Sequence, residues 1–476
     1  MMYEPVIGLE VHIQLNTKSK LFSTAPVSFG AEPNSQACLV DLAYPGTLPV
    51  LNKEAVHQAI LLGLAINAQI TPKTVFSRKN YFYPDLPKGY QTSQGDLPIV
   101  ANGSLTFKTP NSLKKTVNIL RAHLEEDAGK SIHDLIPGCS AIDLNRAGSA
   151  LLEIVTSPEF FSADEVIGYL KTLHRLVRHL KICDGNMQEG SFRVDVNISL
   201  RPVGTFTLGT RCEIKNINSF RFIEKAIAYE MERQAKLLNQ GQKVRQQTRL
   251  FQESTGQTVA MRDKEDRHDY RYFPCPDLAP LHIKEELIAK IKGQLPVSLE
   301  SIETKLLEHY LLTEKETAFL MDNFAVYNYF ESVLTQNKEI SPKVVCNLLL
   351  SELIGICNKA EKSFEDISIT PMDFAIVTLR SMDGTLSSKT TKQILNFLVQ
   401  GHTDVDNLIV THQLKQISDP SILLNAIDQV ITQYPSQYAE FKSGKDKILA
   451  FLVGQVMKQT KGSGDPEEIQ RLFLAK

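Results

Sequence analysis

The chain has 476 residues, 42% of them apolar, and a formal net charge of -2 from 52 basic and 54 acidic side chains. That length suggests about three domains, and the charge balance excludes a globally basic nucleic-acid binder while leaving room for a local basic patch. No run of about 18 apolar residues is present to span a membrane. The N-terminus, MMYEPVIGLE, lacks a basic stretch ahead of an apolar core, so no secretory signal is expected. Seven cysteines without any C-x-x-C pair read as reduced thiols of a cytoplasmic protein.

In chain order, residues 5–15, PVIGLEVHIQL, alternate strictly. Successive strand side chains point to opposite faces, so Glu10, His12 and Gln14 share one face and Ile7, Leu9, Val11, Ile13 and Leu15 the other. A loop-rich stretch at 22–51 and a short helix at 56–64 follow. Residues 77–91, SRKNYFYPDLPKGYQ, set aromatics and two prolines among Arg78, Lys79 and Lys88. They read as a loop, either a rigid surface feature or a lid offering cations to an anionic substrate. Residues 118–127 place Arg121, His123, Glu125 and Asp127 opposite Leu120, Ala122 and Leu124.

Ser162 with Glu165 predicts a capping box, and Val166, Leu170, Leu173, Val177 and Leu180 keep helical spacing after it. The clearest alternation is at 191–200, where Ser191, Arg193, Asp195, Asn197 and Ser199 oppose Phe192, Val194, Val196, Ile198 and Leu200. Residues 210–216 repeat the design, with Arg211, Glu213 and Lys215 opposite Cys212 and Ile214. A second helix at 222–238 stops at Gly241. The segment 261–277, MRDKEDRHDYRYFPCPD, crowds Tyr270, Tyr272 and Phe273 too closely for a merely solvated loop.

Beyond about residue 293 the strand patterns stop. Thr313 with Glu316, Ser341-Pro342 and Thr370-Pro371 each open a helix. The expected division is 1–292, 293–405 and 406–476. In the last part Ile448, Leu452 and Val456 are spaced as a core face, ringed by Lys442, Lys445, Lys447, Lys458 and Lys461. That basic cluster suits a phosphate backbone, although a solvated helix face explains it almost as well.

Four strands offering Glu, His, Asp and Arg on one face favour a polar site over an ordinary solvated sheet. No phosphate loop, dinucleotide fingerprint or nucleophile elbow is present. Ser387-Ser388-Lys389 lies in helical sequence, far from the acidic strands. Carboxylates with one imidazole suit Mg²⁺ or Mn²⁺ better than Zn²⁺. An acid-rich sheet ringed by Arg and Lys is what ATP-dependent phosphoryl transfer needs.

Several stretches together resemble one family: IGLEVHIQLNTKSKLF, FGAEPN, YPGTLPVLN, SRKNYFYPDLPKGYQ, HLEEDAGK, DLNRAGSALLEIV, EGSFRVDVN, EIKNINSFRF, HDYRYFPCPDL and FLVGQVMKQTKG. They are similar to the B subunits of bacterial aspartyl/glutamyl-tRNA amidotransferases, over essentially the whole chain. The resemblance implies an α+β architecture: a glutamine-synthetase-like cradle with an antiparallel sheet, an all-α helical domain, and a small YqeY-like tail that binds tRNA. It implies ATP- and Mg²⁺-dependent phosphorylation of the carboxylate of misacylated Glu-tRNA(Gln) or Asp-tRNA(Asn). Ammonia from a separate glutaminase (the amidase, or A, chain of the family's heterotrimers) then displaces phosphate. A small third protein, the C chain, completes the implied heterotrimer.

The implied metal ligands are Glu10, His12, Glu125, Glu126 and Asp195. The implied catalytic set is Glu10, His12, Lys79, Glu125, Asp195, Glu213 and Lys215, and Ser77, Lys79, Arg193 and Lys215 are expected to bind the nucleotide. Many members hold zinc with four cysteines. The matching positions here are Ser23, Ala25, Cys38 and Asp41, so no zinc is expected. The family's paired glutamates before the central strand appear as Gln188-Glu189, which removes Gln188 as a required ligand. Two rival readings are a non-catalytic tRNA-binding scaffold and a self-sufficient ligase joining ammonia to a small acid. The first leaves the acidic strands unexplained, and the second gives the tail no purpose.

Overall fold

A computed structural model describes residues 2–111, 113–263, 270–417, 419–460 and 462–476. The chain divides into two units, Met1–Ser298 and Leu299–Lys476.

The first unit is built on a twelve-stranded sheet. Its strands are β1 (Tyr3–Gln14), β2 (Gln69–Ile70), β3 (Phe76–Asn80), β4 (Tyr90–Gln94), β5 (Val100–Lys108) and β6 (Lys114–Glu126). They continue with β7 (Ala150–Thr156), β8 (Phe192–Pro202), β9 (Cys212–Lys215), β10 (Gln247–Gln252), β11 (Gln257–Asp263) and β12 (Phe273–Pro274). Across the sheet the order is β11-β10-β9-β8-β1-β7-β6-β4-β3-β12, with β5 beside β6 and β2 beside β5. Among the described residues of this sheet, only β9 and β10 pair in parallel. The sheet is thus mixed, with antiparallel pairing elsewhere.

The first strand of the chain lies mid-sheet because both of its faces are committed. Its apolar row, Ile7, Leu9, Val11 and Ile13, is 0–1% exposed, and Leu152, Ile154, Val194, Val196 and Ile198 on the flanking strands extend it. Burial of each such side chain contributes about 1.5–3 kcal/mol. Three helices provide cover: α1 (Lys53–Ala65), α2 (Ala163–His179) and α3 (Phe220–Asn239). α1 packs on β5 and β6, α2 on β5 and α3, and α3 on β8. Gly63 permits the close approach of α1, since a Cβ there would stand 2.6 Å from Ile70 Cδ1 and 2.9 Å from Val100 Cγ2. The opposite row of β1 and β8 is left for polar groups.

Two local expectations need correction. Ser162 caps α2 by accepting from Glu165 N at 3.2 Å. The Glu165 carboxylate, however, accepts from Phe161 N at 2.7 Å and from Lys115 Nζ at 2.7 Å, so the reciprocal half of the box is absent. The carboxylate thus serves the backbone N–H one residue ahead of the cap, together with the lysine. The segment 77–91 is also not a loop throughout, because its first residues belong to β3 and its last to β4, which pair antiparallel. Lys79 therefore stands on the sheet itself. The aromatic and proline content had masked a short edge pairing.

The second unit is helical throughout its named elements. Thr313 and Glu316 form a full capping box, and Pro342 and Pro371 open their helices at the first position. One hydrophobic core gathers residues from Ile302 to Leu414, around Phe330, Leu349, Phe374 and Ile394. A second gathers residues from Leu423 to Phe473, around Ile427, Leu452, Val456 and Ile469. Ser387 accepts from Thr390 N at 3.3 Å as a helix cap, which accounts for its place beside Lys389 without any nucleophilic role. Among the described residues no helix is long and apolar enough to cross a membrane.

Candidate active site

Register carries the polar face across the central strands. His12 of β1 pairs with Arg193 of β8 on one side and Glu153 of β7 on the other, and Glu153 pairs with His123 of β6. One step along, Glu10 pairs with Asp195. Paired residues share a face, so four strands deliver these side chains to one surface. Ser77, Ser93 and Glu125 form a further row across β3, β4 and β6.

The acids fall into two groups. His12, Glu125 and Glu153 place their ligand-type atoms within 4.8 Å of one another, and so do Glu10, Asp195 and Glu213. In the first group, His12 Nε2 stands 3.3 Å from Glu125 Oε1 and 3.5 Å from Glu153 Oε2. His123 Nε2 reaches Glu153 Oε2 at 3.2 Å and Glu125 Oε2 at 3.8 Å, while its buried Nδ1 has no partner. Burial alone would depress His12, but hydrogen bonds donated to the Glu125 and Glu153 carboxylates override it and raise its pKa to about 10. The same contacts hold Glu125 and Glu153 below the usual carboxylate range against the upward pull of burial.

In the second group, Glu10 is pushed up by burial and then by the neighbouring charges of Glu153, Asp195 and Glu213. Asn197 Nδ2 donates to Glu10 at 2.9 Å. Lys215 Nζ donates to Asp195 Oδ2 at 2.5 Å and stands 3.2 Å from Glu213 Oε1. Burial would lower the Lys215 pKa, yet these two carboxylates raise it above its ordinary value. So many crowded acids create a demand for positive charge that one lysine only partly meets. Hard oxygen donors that outnumber the imidazoles suit a divalent cation of the Mg²⁺ or Mn²⁺ kind.

The remaining predicted residues are placed as follows. Lys79 lies 5.0 Å from the Tyr270 ring centroid and 5.9 Å from that of Tyr81. Burial would lower its pKa, but Glu125, Tyr272 and Tyr270 raise it. Asn80 anchors that aromatic return by donating to the carbonyls of Tyr270 and Arg271 at 3.0 and 2.8 Å. Residues 264–269 of the aromatic segment lie outside the described residues. Arg193 donates to Asp127 at 2.8 Å. Glu126 is not brought to either group: it follows Glu125 directly, points to the other face, and pairs there with Lys88 and the Thr92 N–H. Gln188 and Glu189 are exposed in a turn around Asn186.

Sequence reasoning missed Glu153. It stands among Leu151, Leu152, Ile154 and Val155, so β7 shows no alternation. A single acid within an apolar strand is itself a signal, because such a group is almost never buried without a partner.

The four positions matching the zinc cysteines form a different structure. The Asp41 carboxylate accepts from Ser23 Oγ at 3.0 Å and Cys38 N at 2.9 Å, and the fully buried Lys20 ammonium stands 3.3 Å away. Ala25 has no donor atom, and an ammonium already provides the positive charge. These residues do not fit a tetrahedral zinc ion.

In the second unit Lys442, Lys445, Lys447 and Lys458 are exposed, and Lys445 pairs with Glu440 at 2.9 Å. Lys447 and Lys458 sit on one side of the same helix, about 16 Å apart along its axis. Lys461 lies outside the described residues.

Paired carboxylate groups ringed by lysine and arginine suit cation-assisted chemistry on a polyanion better than hydrolysis by a side-chain nucleophile. The sequence matches the GatB/GatE catalytic domain over residues 5–289 and the GatB domain over residues 328–476, and the chain belongs to this family. It is 50% identical over 476 residues to the B subunit of the aspartyl/glutamyl-tRNA(Asn/Gln) amidotransferase from Coxiella burnetii, covering 100% of both chains. It is also 50% identical to the protein of that name from Legionella pneumophila strain Lens, over 473 residues and 99% of each chain.

Proposed function

We propose that this chain is the activating and amidating component of a tRNA-dependent amidotransferase. Its substrate is glutamate or aspartate misacylated onto tRNA(Gln) or tRNA(Asn), and its partners are a glutaminase and a small third protein. The substrate's side-chain carboxylate oxygen attacks the γ-phosphorus of ATP, and the bond to ADP breaks. Ammonia then forms the C–N bond, phosphate departs with the C–O electron pair, and the nitrogen loses a proton. The first step is needed because a free carboxylate is inert to ammonia.

The observation that carries this reading is the placement of two acid groups on one sheet face, with Lys79, Lys215 and Arg193 around them. Glu10, Asp195 and Glu213, and likewise His12, Glu125 and Glu153, would hold divalent cations. Mg²⁺, when bound, neutralises phosphate oxygens. Lys79, raised by the Glu125 charge, stays an ammonium and offers a fixed cation to the phosphate chain. Lys215 holds Asp195 in place and limits repulsion among the acids. The lysines of the second unit serve the tRNA backbone.

The test is ADP release by the complex with and without misacylated tRNA. Release that requires the misacylated tRNA supports the proposal. No release in either condition leaves a binding scaffold, and release driven by a free amino acid with ammonia indicates a small-molecule ligase. The isolated chain is expected to hydrolyse no glutamine.

A further inference from the structure

We infer that Arg146 and Arg193 form a paired guanidinium clamp, set by Asp127, that grips the phosphate chain of the nucleoside triphosphate; this rests on the nucleotide-dependent reading above. Arg193 projects from β8, and Arg146 comes from the turn that precedes β7. Both address one oxygen: Arg193 Nη2 donates to Asp127 Oδ2 at 2.8 Å, and Arg146 Nε stands 3.3 Å from it. Two guanidiniums that share one carboxylate oxygen repel each other. A single carboxylate offsets only one of the two charges, so the cluster keeps a net positive charge.

The arrangement is rigid on its protein side and incomplete on the other. Asp127 is 6% exposed, its backbone is bonded to Gly148 and Ser149, and its Oδ1 accepts from Ala128 N at 2.9 Å. Arg146 Nε and Nη2 donate to the carbonyls of Ala128 and Gly129 at 3.1 and 2.8 Å, which fixes the guanidinium plane. None of these bonds uses Arg146 Nη1. The two side chains remain 43% and 34% exposed, and Arg193 Nε is shut from water without an acceptor. Arg146 Nη1 and the solvent-open part of the Arg193 guanidinium are thus left on the side of the pair that faces away from Asp127's backbone anchors.

Position decides what they would take. Arg193 is the register partner of His12, so the clamp begins one strand spacing, about 4.8 Å, from the His12, Glu125 and Glu153 group. An anion could not settle on those acids unaided. One that shares a divalent cation with them and offers further oxygens to a guanidinium fork could bridge both. Phosphate oxygens match that fork in geometry as well as charge. A terminal phosphate, with its higher charge, suits the position better than a tRNA phosphodiester.

The experiment uses the full complex, with ATP cleavage titrated separately against ATP and misacylated tRNA, and with inorganic tripolyphosphate as competitor. Arg146→Ala is expected to raise KM for ATP about 10- to 100-fold and weaken tripolyphosphate inhibition in parallel, the loss of one or two charge-assisted bonds. KM for tRNA should stay within about twofold, since uniform binding is lost for one substrate only. Arg146→Lys keeps the stem and the charge without the fork, and should fall between; it also stands in should the alanine variant melt early. Unchanged KM for ATP and unchanged inhibition in both variants would overturn the clamp. A rise confined to KM for tRNA would also overturn it and assign the pair to the nucleic-acid backbone. A wild-type complex that cleaves no ATP fails the functional reading instead, so the two failures are distinguishable.

Discussion

Replacing Lys20 with methionine removes a fully buried ammonium while keeping its aliphatic stem. Lys20 is 0% exposed and Asp41 6%, so solvent does not screen the pair. The ammonium stands 3.3 Å from Asp41 and donates to Leu144 O at 3.2 Å. Burial pulls the Lys20 pKa below its ordinary value even with Asp41 beside it, so the charge is held at a desolvation cost. Lys20→Met leaves the Asp41 carboxylate with only neutral donors, an uncompensated buried charge worth roughly 3–5 kcal/mol. At roughly 2 °C per kcal/mol for a unit of this size, the first unit should melt about 6–10 °C lower. The double variant Lys20→Met/Asp41→Asn removes both charges, keeps an acceptor for Ser23 and Cys38, and should recover most of the loss. Thermal and urea unfolding of the parent and the two variants, all in metal-free buffer so that cation binding is the same for each, provide the measurement. A Lys20→Met protein within about 1 kcal/mol of the parent, or a double variant no better than the single, would refute the reasoning.

Asp195→Asn is expected to abolish tRNA-dependent ADP release while leaving the melting profile and partner binding nearly intact, since the side chain faces polar space; a variant with near wild-type release would remove Asp195 from the site. Glu230 is 0% exposed and paired with Arg233 and Arg249, each at 2.8 Å. Burial pushes its pKa up, but Arg233, Thr258 and Gln234 prevail and hold it below the ordinary value. A depressed carboxylate contributes stability above its unfolded pKa of about 4.3, and that stability is lost as pH falls through the folded pKa. Glu230→Gln should therefore flatten the acid limb of urea midpoints measured from pH 7 to pH 3, and an unaltered limb would contradict the network. Changing Lys442, Lys447 and Lys458 to Gln should weaken tRNA binding and flatten its log–log salt dependence by roughly 0.7–0.9 per lost contact. Substitution is preferable to truncation near residue 406, because Val405, Leu408 and Ile409 belong to the helical core. Unchanged binding at every salt concentration would leave those lysines a solvating role alone.

The alternations around Glu10, Asp195 and Glu125 were legible because a strand's period is local. Glu10, His12, Glu125, Asp195 and Glu213 stand in the acid groups, whereas Leu120, read on the apolar row, is exposed and Arg211 lies ahead of β9. Their division into two groups was not legible, since it depends on register between strands as distant as β1 and β8. Glu126 shows the same rule from the other side: adjacent strand residues cannot share a face, so its separation from Glu125 was available from the alternation itself. Lys79 was read as part of a loop because β3 is short, its turn to β4 is rich in Pro and aromatics, and its other partner is the far β12. The Asp127–Arg146 contact likewise joins a strand end to a later turn, and no spacing in the sequence announces it.

The central place of β1 also constrains how the molecule is made. Its neighbours are β7, ending at Thr156, and β8, ending at Pro202, so β1 leaves the ribosome well before either lateral partner. At about 5–20 residues per second the wait lasts roughly 7 to 28 s for β7 and roughly 10 to 40 s for both neighbours. Throughout it, a strand with Ile7, Leu9, Val11 and Ile13 along one edge is uncovered and free to pair wrongly. The nascent chain thus carries an uncovered apolar strand while the rest of the sheet is made, and closing the sheet centre is a long-range event rather than a local nucleus.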